Sequence, residues 1–541
     1  MKIRLPDKIR IFTAVDGGVE LDVRDGETGA GDVSLSLKLA DNRLSVSVAA
    51  DISPLFHIRL RWNFTEDEKR RDVVRIMGDT WERTYGELEW RGVVPQRFMP
   101  WYMLVSNGSD SVRDFSGRHT ECFGVEVRPA AVCSWQYDTR GVTLWLDVRC
   151  GGDGVLLGGR RVELCRVLMS DHFDVSAYEA GRAACREMCR DGISPSHMIY
   201  GSNNWYYAVG NSSHEQILRD ARLISSLTEG IENRPYCVID DGWQKNPCDG
   251  PWDRGNEKFP DMARLAREMR EENVIPGLWV RYLNDSRHET LGDEYRIPSR
   301  PDVLDPSLPE VIEKVRRDTE RFVKWGYRLI KHDFTVFDAF GVYGGERDTY
   351  LAKNGWSFRD RSRTTAEIVT ELYRAVREAA GDESVIIGCN TVSHLSAGLV
   401  HLSRTGHDTS GRHFERTRIC GVNALAFRMM QNGIFYLCDA DCASHAGRID
   451  WKQNREWLRA VGDSGTALFI SADPDLMTDE IERDMREALR LSANASEEMI
   501  PVDWMENTAP ERYLVNGEEK VYNWYEEGGT RRFVPPCDPE Y

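Results

Sequence analysis

The segment YRLIKHDFTVFD, residues 327–338, begins like a buried β-strand and ends in ionisable side chains. Lys331 and Asp333 are two positions apart, so in a strand they point to the same face while His332 points to the other. A lysine beside a carboxylate favours the ionised form, and an ionised, partly desolvated aspartate can act as a nucleophile or an electrostatic stabiliser. A purely structural Lys–Asp pair is the alternative that this segment leaves open.

A second carboxylate suited to acid–base chemistry lies in LSRTGHDTSGR, where Asp408 follows Arg404 by four positions. Arg404 would favour the ionised carboxylate, whereas burial would raise its pKa, and the sequence leaves the balance open. A buried Arg–Asp ion pair without catalytic work is the alternative. In CDADCASH, Asp439 and Asp441 are rival candidates for the same acid. The cysteines and the histidine of that segment match no standard zinc spacing, so we predict no metal site.

The motif VIDDGWQ places two carboxylates beside an aromatic ring. Carboxylates accept hydrogen bonds from vicinal hydroxyl groups, and an aromatic face packs against the C–H groups of a sugar ring. Asp240, Asp241 and Trp243 are therefore candidate sugar-binding residues. The motif is not specific by itself, because Asp-Asp-Gly also forms turns.

Short apolar segments alternate with helical segments over residues 193–495, which predicts a closed (β/α)8 barrel. No glycine-rich dinucleotide or phosphate fingerprint supports the alternative, an open doubly wound sheet, and no cofactor is predicted. In a barrel the carboxyl ends of the strands surround the active site, and most of these segments end in polar residues. Trp205, Arg281, Asn390 and Arg404 are thereby further candidate substrate-binding residues. The predicted strands are MIYGSNNW, YCVIDDGW, VIPGLWVR, YRLIKHDF, SVIIGCN, LSRTGHD, GIFYLCDAD and TALFISAD.

The regions on either side of the barrel have different patterns. Residues 1–192 alternate apolar and polar residues, as in DVSLSLKLADNRLSVSVAADI with its Asp-Asn turn, and show no long helical period. This pattern predicts an antiparallel β-sandwich. Residues 496–541 contain one strand-like run, KVYNWYEE, and a proline-rich end. We expect a small C-terminal β segment there.

Composition narrows the classes of partner. The chain has 541 residues, of which 41% are hydrophobic and 29% charged, as in folded multidomain proteins. Its net charge of −18 repels nucleic acid and anionic membrane surfaces, and no stretch approaches the roughly 20 apolar residues of a membrane span. The N-terminal segment has no apolar run of secretory length, and the 13 scattered cysteines favour reduced thiols. We therefore expect a cytoplasmic protein with a small neutral ligand.

The three motifs, in this order, resemble those of clan D of the glycoside hydrolases, which includes the α-galactosidases of families 27 and 36. The similar segments are DDGW after the second barrel strand, KHD after the fourth and RTGHD after the sixth. A large β domain ahead of the barrel is similar to family 36 rather than family 27. The resemblance implies a hydrolase that removes terminal α-galactosyl groups from small oligosaccharides.

The resemblance also implies a retaining mechanism. Asp333 would attack the anomeric carbon to form a glycosyl-enzyme ester, and Asp408 would first protonate the leaving oxygen and then activate water. Such a mechanism predicts carboxyl groups about 5–5.5 Å apart. The residues implied to hold the sugar are Asp240, Asp241 and Lys331 at the C4 and C6 hydroxyls, with Trp243 and Trp205 as walls.

The sequence departs from the family 36 pattern at three places. GCNTVSHLSAG keeps Cys389 but lacks the usual glycine run, HDTSG stands where S-D-x-x-D is usual, and the GLWVRYLN loop lacks an acidic pair. The substrate is thus less closely specified than the reaction. The alternatives are an α-N-acetylgalactosaminidase, a transglycosylase of the raffinose-synthase kind, an inactive sugar-binding protein and a metal-dependent aldolase. The resemblance leaves a homo-oligomer open.

Overall fold

The computed structural model describes residues 3–23, 26–65, 74–343, 350–495 and 499–525. Its N-terminal part is built from antiparallel strands, as the alternating pattern predicts. They are β1 (Lys8–Phe12), β2 (Val19–Asp22), β3 (Glu27–Ala30), β4 (Val33–Ala40), β5 (Arg43–Ala50), β6 (His57–Asn63), β7 (Arg75–Gly78), β8 (Met99–Pro100), β9 (Tyr102–Ser106), β10 (His119–Val125), β11 (Val132–Asp138), β12 (Gly141–Asp147) and β13 (Val162–Phe173).

These strands form two facing sheets. One has the order β2-β1-β6-β12-β11-β8 and the other the order β3-β4-β5-β13-β10-β9-β7. Phe123 of the second sheet lies 5.9 Å, ring to ring, from Trp135 of the first. The β4–β5 hairpin turns at Asp41 and Asn42, whose φ angles of 50° and 56° suit a tight turn between twisted strands. The predicted β-sandwich is therefore confirmed.

One helix interrupts this part of the chain, contrary to the expectation of β-structure alone. Helix α1 (Ala177–Met188) begins at Ser176, whose side chain forms a capping box with Glu179. Its buried face is mostly alanine, glycine and cysteine, which give a weak apolar period in the sequence. These small side chains allow close packing, and the Cys122 thiol of β10 lies 3.7 Å from the Ala180 carbonyl oxygen.

The central part is a closed eight-stranded parallel barrel, and each predicted strand is present. The barrel strands are β14 (Tyr200–Asn203), β15 (Tyr236–Ile239), β16 (Ile275–Val280), β19 (Leu329–His332), β20 (Val385–Gly388), β21 (Leu402–Arg404), β22 (Leu437–His445) and β23 (Ala467–Ala472); a hairpin of β17 (Arg296–Ile297) and β18 (Arg300–Leu304) lies between β16 and β19. An open doubly wound sheet is thereby excluded.

Helices join the barrel strands. They are α2 (Trp205–Ala208), α3 (His214–Leu227), α4 (Met262–Glu271), α5 (Pro309–Trp325), α6 (Thr335–Phe340), α7 (Thr365–Ala380), α8 (Ser393–Ser396), α9 (Phe414–Arg416), α10 (Asn423–Arg428), α11 (Trp451–Asp463) and α12 (Asp479–Ala493). Local residues fix their ends: Thr364 and Glu367 form a capping box at α7, and Gly326 ends α5 with a φ of 108°. None of the described helices combines the length and apolar character that a membrane span requires.

A small antiparallel sheet follows the barrel, as predicted. It contains β24 (Ile500–Pro501), β25 (Arg512–Val515) and β26 (Glu518–Val521). The predicted strand KVYNWYEE is present only at its first two residues, because the chain leaves the sheet so that Tyr522 and Trp524 can bury their rings. The last two residues of that run and the proline-rich end lie outside the described residues.

A buried ion pair joins the N-terminal domain to the barrel. Arg428 of α10 donates to a carboxylate oxygen of Asp79 at 3.0 Å and to the backbone oxygen of Glu82 at 2.8 Å. The side chain of Gln431 donates to the same oxygen of Asp79 at 2.9 Å. The side chains of Arg428 and Asp79 are 0% and 1% exposed, so each charge depends on the other for compensation.

We predict that Asp79→Asn lowers the free energy of unfolding by about 3 kcal/mol, because it leaves the buried Arg428 guanidinium without a countercharge. Urea unfolding followed by tryptophan fluorescence measures the loss. Arg374→Ala is the control, because the Arg374–Glu371 pair at 2.8 Å is 45% and 30% exposed and should contribute less than about 1 kcal/mol. Equal losses in the two variants would contradict the prediction.

Candidate active site

A layer of charged residues lies inside the barrel at the carboxyl ends of its strands. The interior core contains Val238, Leu329, Leu402 and Leu437. Because side chains alternate along a strand, the residues two positions later also point inward. Those residues are Asp240, Lys331, Arg404 and Asp439, and the last three line one cavity together with Asn203 and Asp441.

Lys331 and Asp240 form the central ion pair of this layer. The ammonium group of Lys331 donates to a carboxylate oxygen of Asp240 at 2.6 Å, and the side chain of Asn203 donates to the same oxygen at 2.7 Å. Burial lowers the pKa of Lys331, but Asp240 and the other acidic groups around it together outweigh burial and hold that pKa well above its usual value. The Asp240 carboxylate therefore holds together the ends of β14, β15 and β19.

Asp333 follows β19 and is half-buried. The indole N–H of Trp279 donates to one of its oxygens at 3.1 Å, and the backbone N–H of Phe334 donates to the other at 2.7 Å. Lys331 points to the same face as predicted, yet its hydrogen bond goes to Asp240. His332 points outward, with its ring 5.3 Å from that of Tyr282. Asp333 is thus a fixed carboxylate with access to solvent.

Asp408 lies after β21 and has two guanidinium partners. Arg404 donates to its Oδ1 at 3.0 Å, and Arg83 donates to the same oxygen at 3.2 Å. Burial raises the pKa of Asp408, but the charges of Arg83 and Arg404 outweigh this and hold it below its usual range. Its side chain is 27% exposed, so it remains open to a ligand.

The two rival acids are less accessible than Asp408. Asp441 is buried and accepts hydrogen bonds from the Tyr206 hydroxyl, from Thr409 N at 2.8 Å and from Thr409 Oγ1 at 2.9 Å. It also forms an ion pair with Arg404 at 3.0 Å. Asp439 is buried as well, and burial raises its pKa. The arrangement favours Asp408 as the carboxylate that can meet a ligand.

Arg83 comes from the N-terminal domain and was not among the residues selected from the sequence. Its segment, MGDTWERTYGELEWRG, is rich in aromatic residues, and such residues usually pack in a core or between domains. Trp81 packs against Trp101 at 5.5 Å and Trp90 against Trp504 at 5.2 Å, ring to ring. The same packing carries Arg83 to Asp408, which no spacing within the barrel sequence could indicate.

Asp241 lies beside Asp240 and is fixed by a local turn. Its Oδ1 accepts from the side chain of Gln244 at 2.5 Å and from Cys248 N at 2.9 Å. The thiol of Cys248 is 2.9 Å from its other oxygen. Asp241 is buried, so any ligand would reach it only from the pocket side.

Arg281 and Asn390 are engaged by protein groups. Arg281 donates to both oxygens of Asp338, at 3.0 and 3.1 Å from Nε, and its guanidinium lies 4.3 Å from the Phe334 ring centre. Asn390 is buried, donates to Glu82 and accepts from Phe337 N at 3.1 Å. These contacts assign both residues to holding the loops around Asp333.

The two predicted tryptophan walls differ in position. Trp205, the first residue of α2, is half-buried and lies at the rim. Trp243 is 0% exposed, and its indole N–H donates to Trp279 O at 2.9 Å. Its ring packs against Trp252, Phe322 and Trp325. This buried position disagrees with the expectation that Trp243 contacts a sugar. The motif DDGW does not distinguish a ring that packs in the core from a ring that lines a pocket.

An arc of aromatic rings connects Asp333 to Asp408. Phe337 lies 4.5 Å from Tyr343, Tyr343 lies 6.2 Å from His407, and His407 lies 4.7 Å from Tyr85, ring to ring. Burial raises the pKa of Tyr343, and the charges of Asp333 and Asp408 both raise it further. The Tyr343 ring lies 6.4 Å from that of Phe334, next to Asp333, and 6.2 Å from that of His407, next to Asp408, so the segments that carry the two carboxylates are both close to it.

No protein-family model matches the sequence. The structure, however, is similar to solved α-galactosidases. An α-galactosidase from Thermus thermophilus matches with a TM-score of 0.60 and 17% identity, covering 91% of this chain and 97% of the other. A family 36 α-galactosidase from Geobacillus stearothermophilus matches with a TM-score of 0.58 and 14% identity, covering 90% and 71%. The fold likeness predicted from the three motifs is confirmed.

We predict that Trp243→Phe destabilises the protein by roughly 2–4 kcal/mol, because it removes a buried hydrogen bond and leaves a cavity among three aromatic rings. Urea unfolding measures the change. Trp205→Phe is the matched control and should cost less than about 1 kcal/mol, since its ring is only half-buried. A smaller loss for Trp243→Phe than for Trp205→Phe would refute the placement.

Proposed function

We propose that this protein is a retaining exo-glycoside hydrolase that cleaves terminal α-galactosides. The observation that carries the proposal is that two partly exposed carboxylates, Asp333 and Asp408, follow strands of a barrel whose interior holds the buried Lys331–Asp240 pair. Two carboxylates on opposite sides of a glycosidic bond are the minimum that such hydrolysis needs. The Thermus thermophilus α-galactosidase of similar fold has been solved with an aryl α-galactoside and with stachyose, which supports the choice of sugar.

Asp333 is the proposed nucleophile. Its two oxygens are oriented by Trp279 and by the Phe334 backbone, so the carboxylate needs little reorganisation before attack on the anomeric carbon. The C–O bond to the leaving group breaks as the ester forms. Water then attacks the same carbon and releases the sugar with retained configuration.

Asp408 is the proposed acid and base. It gives its proton to the departing oxygen in the first step and takes a proton from water in the second. Arg404 holds it from the barrel side at 3.0 Å, with its own position fixed by Asp441. The two rival carboxylates lack this access.

The sugar is proposed to bind against the charged layer. Asp240 and Lys331 present a paired carboxylate and ammonium, which together can accept and donate hydrogen bonds to vicinal hydroxyls. Asp241 adds a second acceptor, and the exposed part of Trp205 offers an apolar face. The small residues of TVSHLSAG would suit the acetamido group of an α-N-acetylgalactosaminide, but this segment packs on the N-terminal domain, with His394 stacked 5.1 Å from Trp101.

The test compares 4-nitrophenyl α-D-galactoside with the α-N-acetylgalactosaminide and the α-glucoside, in wild type and Asp333→Asn. We expect the galactoside to be hydrolysed and the variant to lose roughly three orders of magnitude or more in kcat. Nuclear magnetic resonance of the first-formed product should show the α-anomer, and added acceptor alcohol separates transfer from hydrolysis.

Asp382→Asn is the control and should keep the wild-type kcat, since Asp382 is 99% exposed and pairs with Arg377 at the end of α7. If another glycoside is hydrolysed and its hydrolysis requires Asp333, the proposed mechanism stands and the proposed sugar is wrong. Binding without turnover, unaffected by Asp333→Asn, would identify a sugar-binding protein. Activity lost to a chelator would indicate a metal-dependent enzyme instead.

A further inference from the structure

A loop of the N-terminal domain is fixed to the barrel by backbone hydrogen bonds. Thr84 N donates to Thr405 O at 2.9 Å, and His407 N donates to Thr84 O at 2.7 Å. Together these two bonds form one parallel bridge between Thr84 and Gly406, after the end of β21 and two residues before Asp408. The neighbouring residue, Arg83, is therefore positioned as firmly as a residue of the barrel itself.

The Arg83 side chain is directed at Asp408 and has little freedom. It is 5% exposed, its Nη1 is 3.2 Å from Asp408 Oδ1, and its guanidinium lies 5.9 Å from the Tyr85 ring centre. Its Nε is buried without a hydrogen-bond partner in the described part of the chain. A buried guanidinium is costly to keep, and its compensation here comes from the Asp408 carboxylate.

Other charged and titratable groups also face Asp408. Arg404 shares its Oδ1 from the barrel side but is itself divided between Asp408 and Asp441. From α9, the Arg416 guanidinium donates to His407 Nε2 at 2.7 Å, which fixes that imidazole as a neutral acceptor. Burial and the neighbouring Arg83 charge lower the pKa of His407. Tyr343 and Cys420 also interact electrostatically with Asp408, and Tyr85 and Asp333 interact with Arg83.

The groups around Asp408 place an excess of positive charge close to its carboxylate. This charge affects the proposed roles of Asp408 as acid and as base. As an acid it must carry a proton in the first step, whereas as a base it must be ionised in the second. Guanidinium partners favour the ionised form. Of the groups that hold Asp408, Arg83 alone in the described chain comes from outside the barrel, and it has no second carboxylate partner there.

We propose that Arg83 is a positioning residue through which the N-terminal domain sets the balance between the acid and base forms of Asp408. This rests on the proposed function, in which Asp408 is the acid and base. Arg83 favours the base form, so hydrolysis of poor leaving groups is limited by the small protonated fraction, and good leaving groups are cleaved preferentially. The substrates that suit this balance are α-galactosides with acidic aglycones, such as phenols.

The test measures the pH dependence of kcat/KM for wild type, Arg83→Met and Arg83→Lys. Loss of the positive charge in Arg83→Met should raise the pKa of Asp408 and move the basic limb upward by about one pH unit or more. Arg83→Lys keeps the charge and should restore the limb. With a series of aryl and alkyl α-galactosides, the dependence on leaving-group pKa should be steeper in wild type than in Arg83→Met.

Arg91→Met is the control, because Arg91 belongs to the same loop but is 51% exposed and pairs with Glu89. Its pH profile should match wild type. A basic limb that stays in place in Arg83→Met, with only KM increased, would overturn the proposal and make Arg83 a ligand-binding or purely structural residue. Thermal unfolding checks that each variant is folded, and Arg83→Gln replaces the methionine variant if it is not.

A second measurement needs no activity. Carboxyl carbons labelled in aspartate can be titrated by ¹³C nuclear magnetic resonance, with Asp408 assigned by difference from Asp408→Asn. A pKa of Asp408 that is higher in Arg83→Met than in wild type supports the proposal, and an unchanged value refutes it. If no glycoside is hydrolysed by wild type, the proposed function fails, and the titration still decides whether Arg83 controls Asp408.

Discussion

The barrel depends on compensating charges that its own geometry forces together. Eight parallel strands bring their carboxyl ends to one place, and the period of two along each strand turns alternate residues inward. In the lower part of the barrel, the residues that point inward are apolar and pack against one another. One layer higher they are Asp240, Lys331, Arg404 and Asp439, which can stay buried only by pairing. The 2.6 Å contact between Lys331 and Asp240 is the centre of that pairing.

Much of this arrangement could be predicted from the sequence, because strand alternation is a local property. The eight strands, the shared face of Lys331 and Asp333, and the outward turn of His332 follow from period and position. The partner of Lys331 could not be predicted in this way. Its partner, Asp240, is 91 residues away, and only the closed barrel makes the two neighbours.

The wrong prediction for Trp243 and the features that were not predicted, helix α1 and the Arg83 contact, also have physical causes. Trp243 follows two candidate aspartates, yet its ring turns outward into the helical layer against Phe322 and Trp325. Helix α1 has a face of small residues that hydrophobic periodicity detects poorly. Arg83 contacts Asp408 across 325 residues of chain, in a segment noticeable for its tryptophans. Long-range contacts between separate domains leave no pattern in a single sequence.

The backbone bridge between Thr84 and the end of β21 has a consequence for how such a protein can change over generations. The loop and the barrel strand belong to different domains, so a substitution in one alters the surroundings of a carboxylate in the other without disturbing the strand that carries it. Selection can therefore adjust the proton affinity of that group through a peripheral loop. Under the function proposed above, the sandwich is in this sense an adjustable part of the site, and a barrel inherited without it would hold Asp408 in different surroundings.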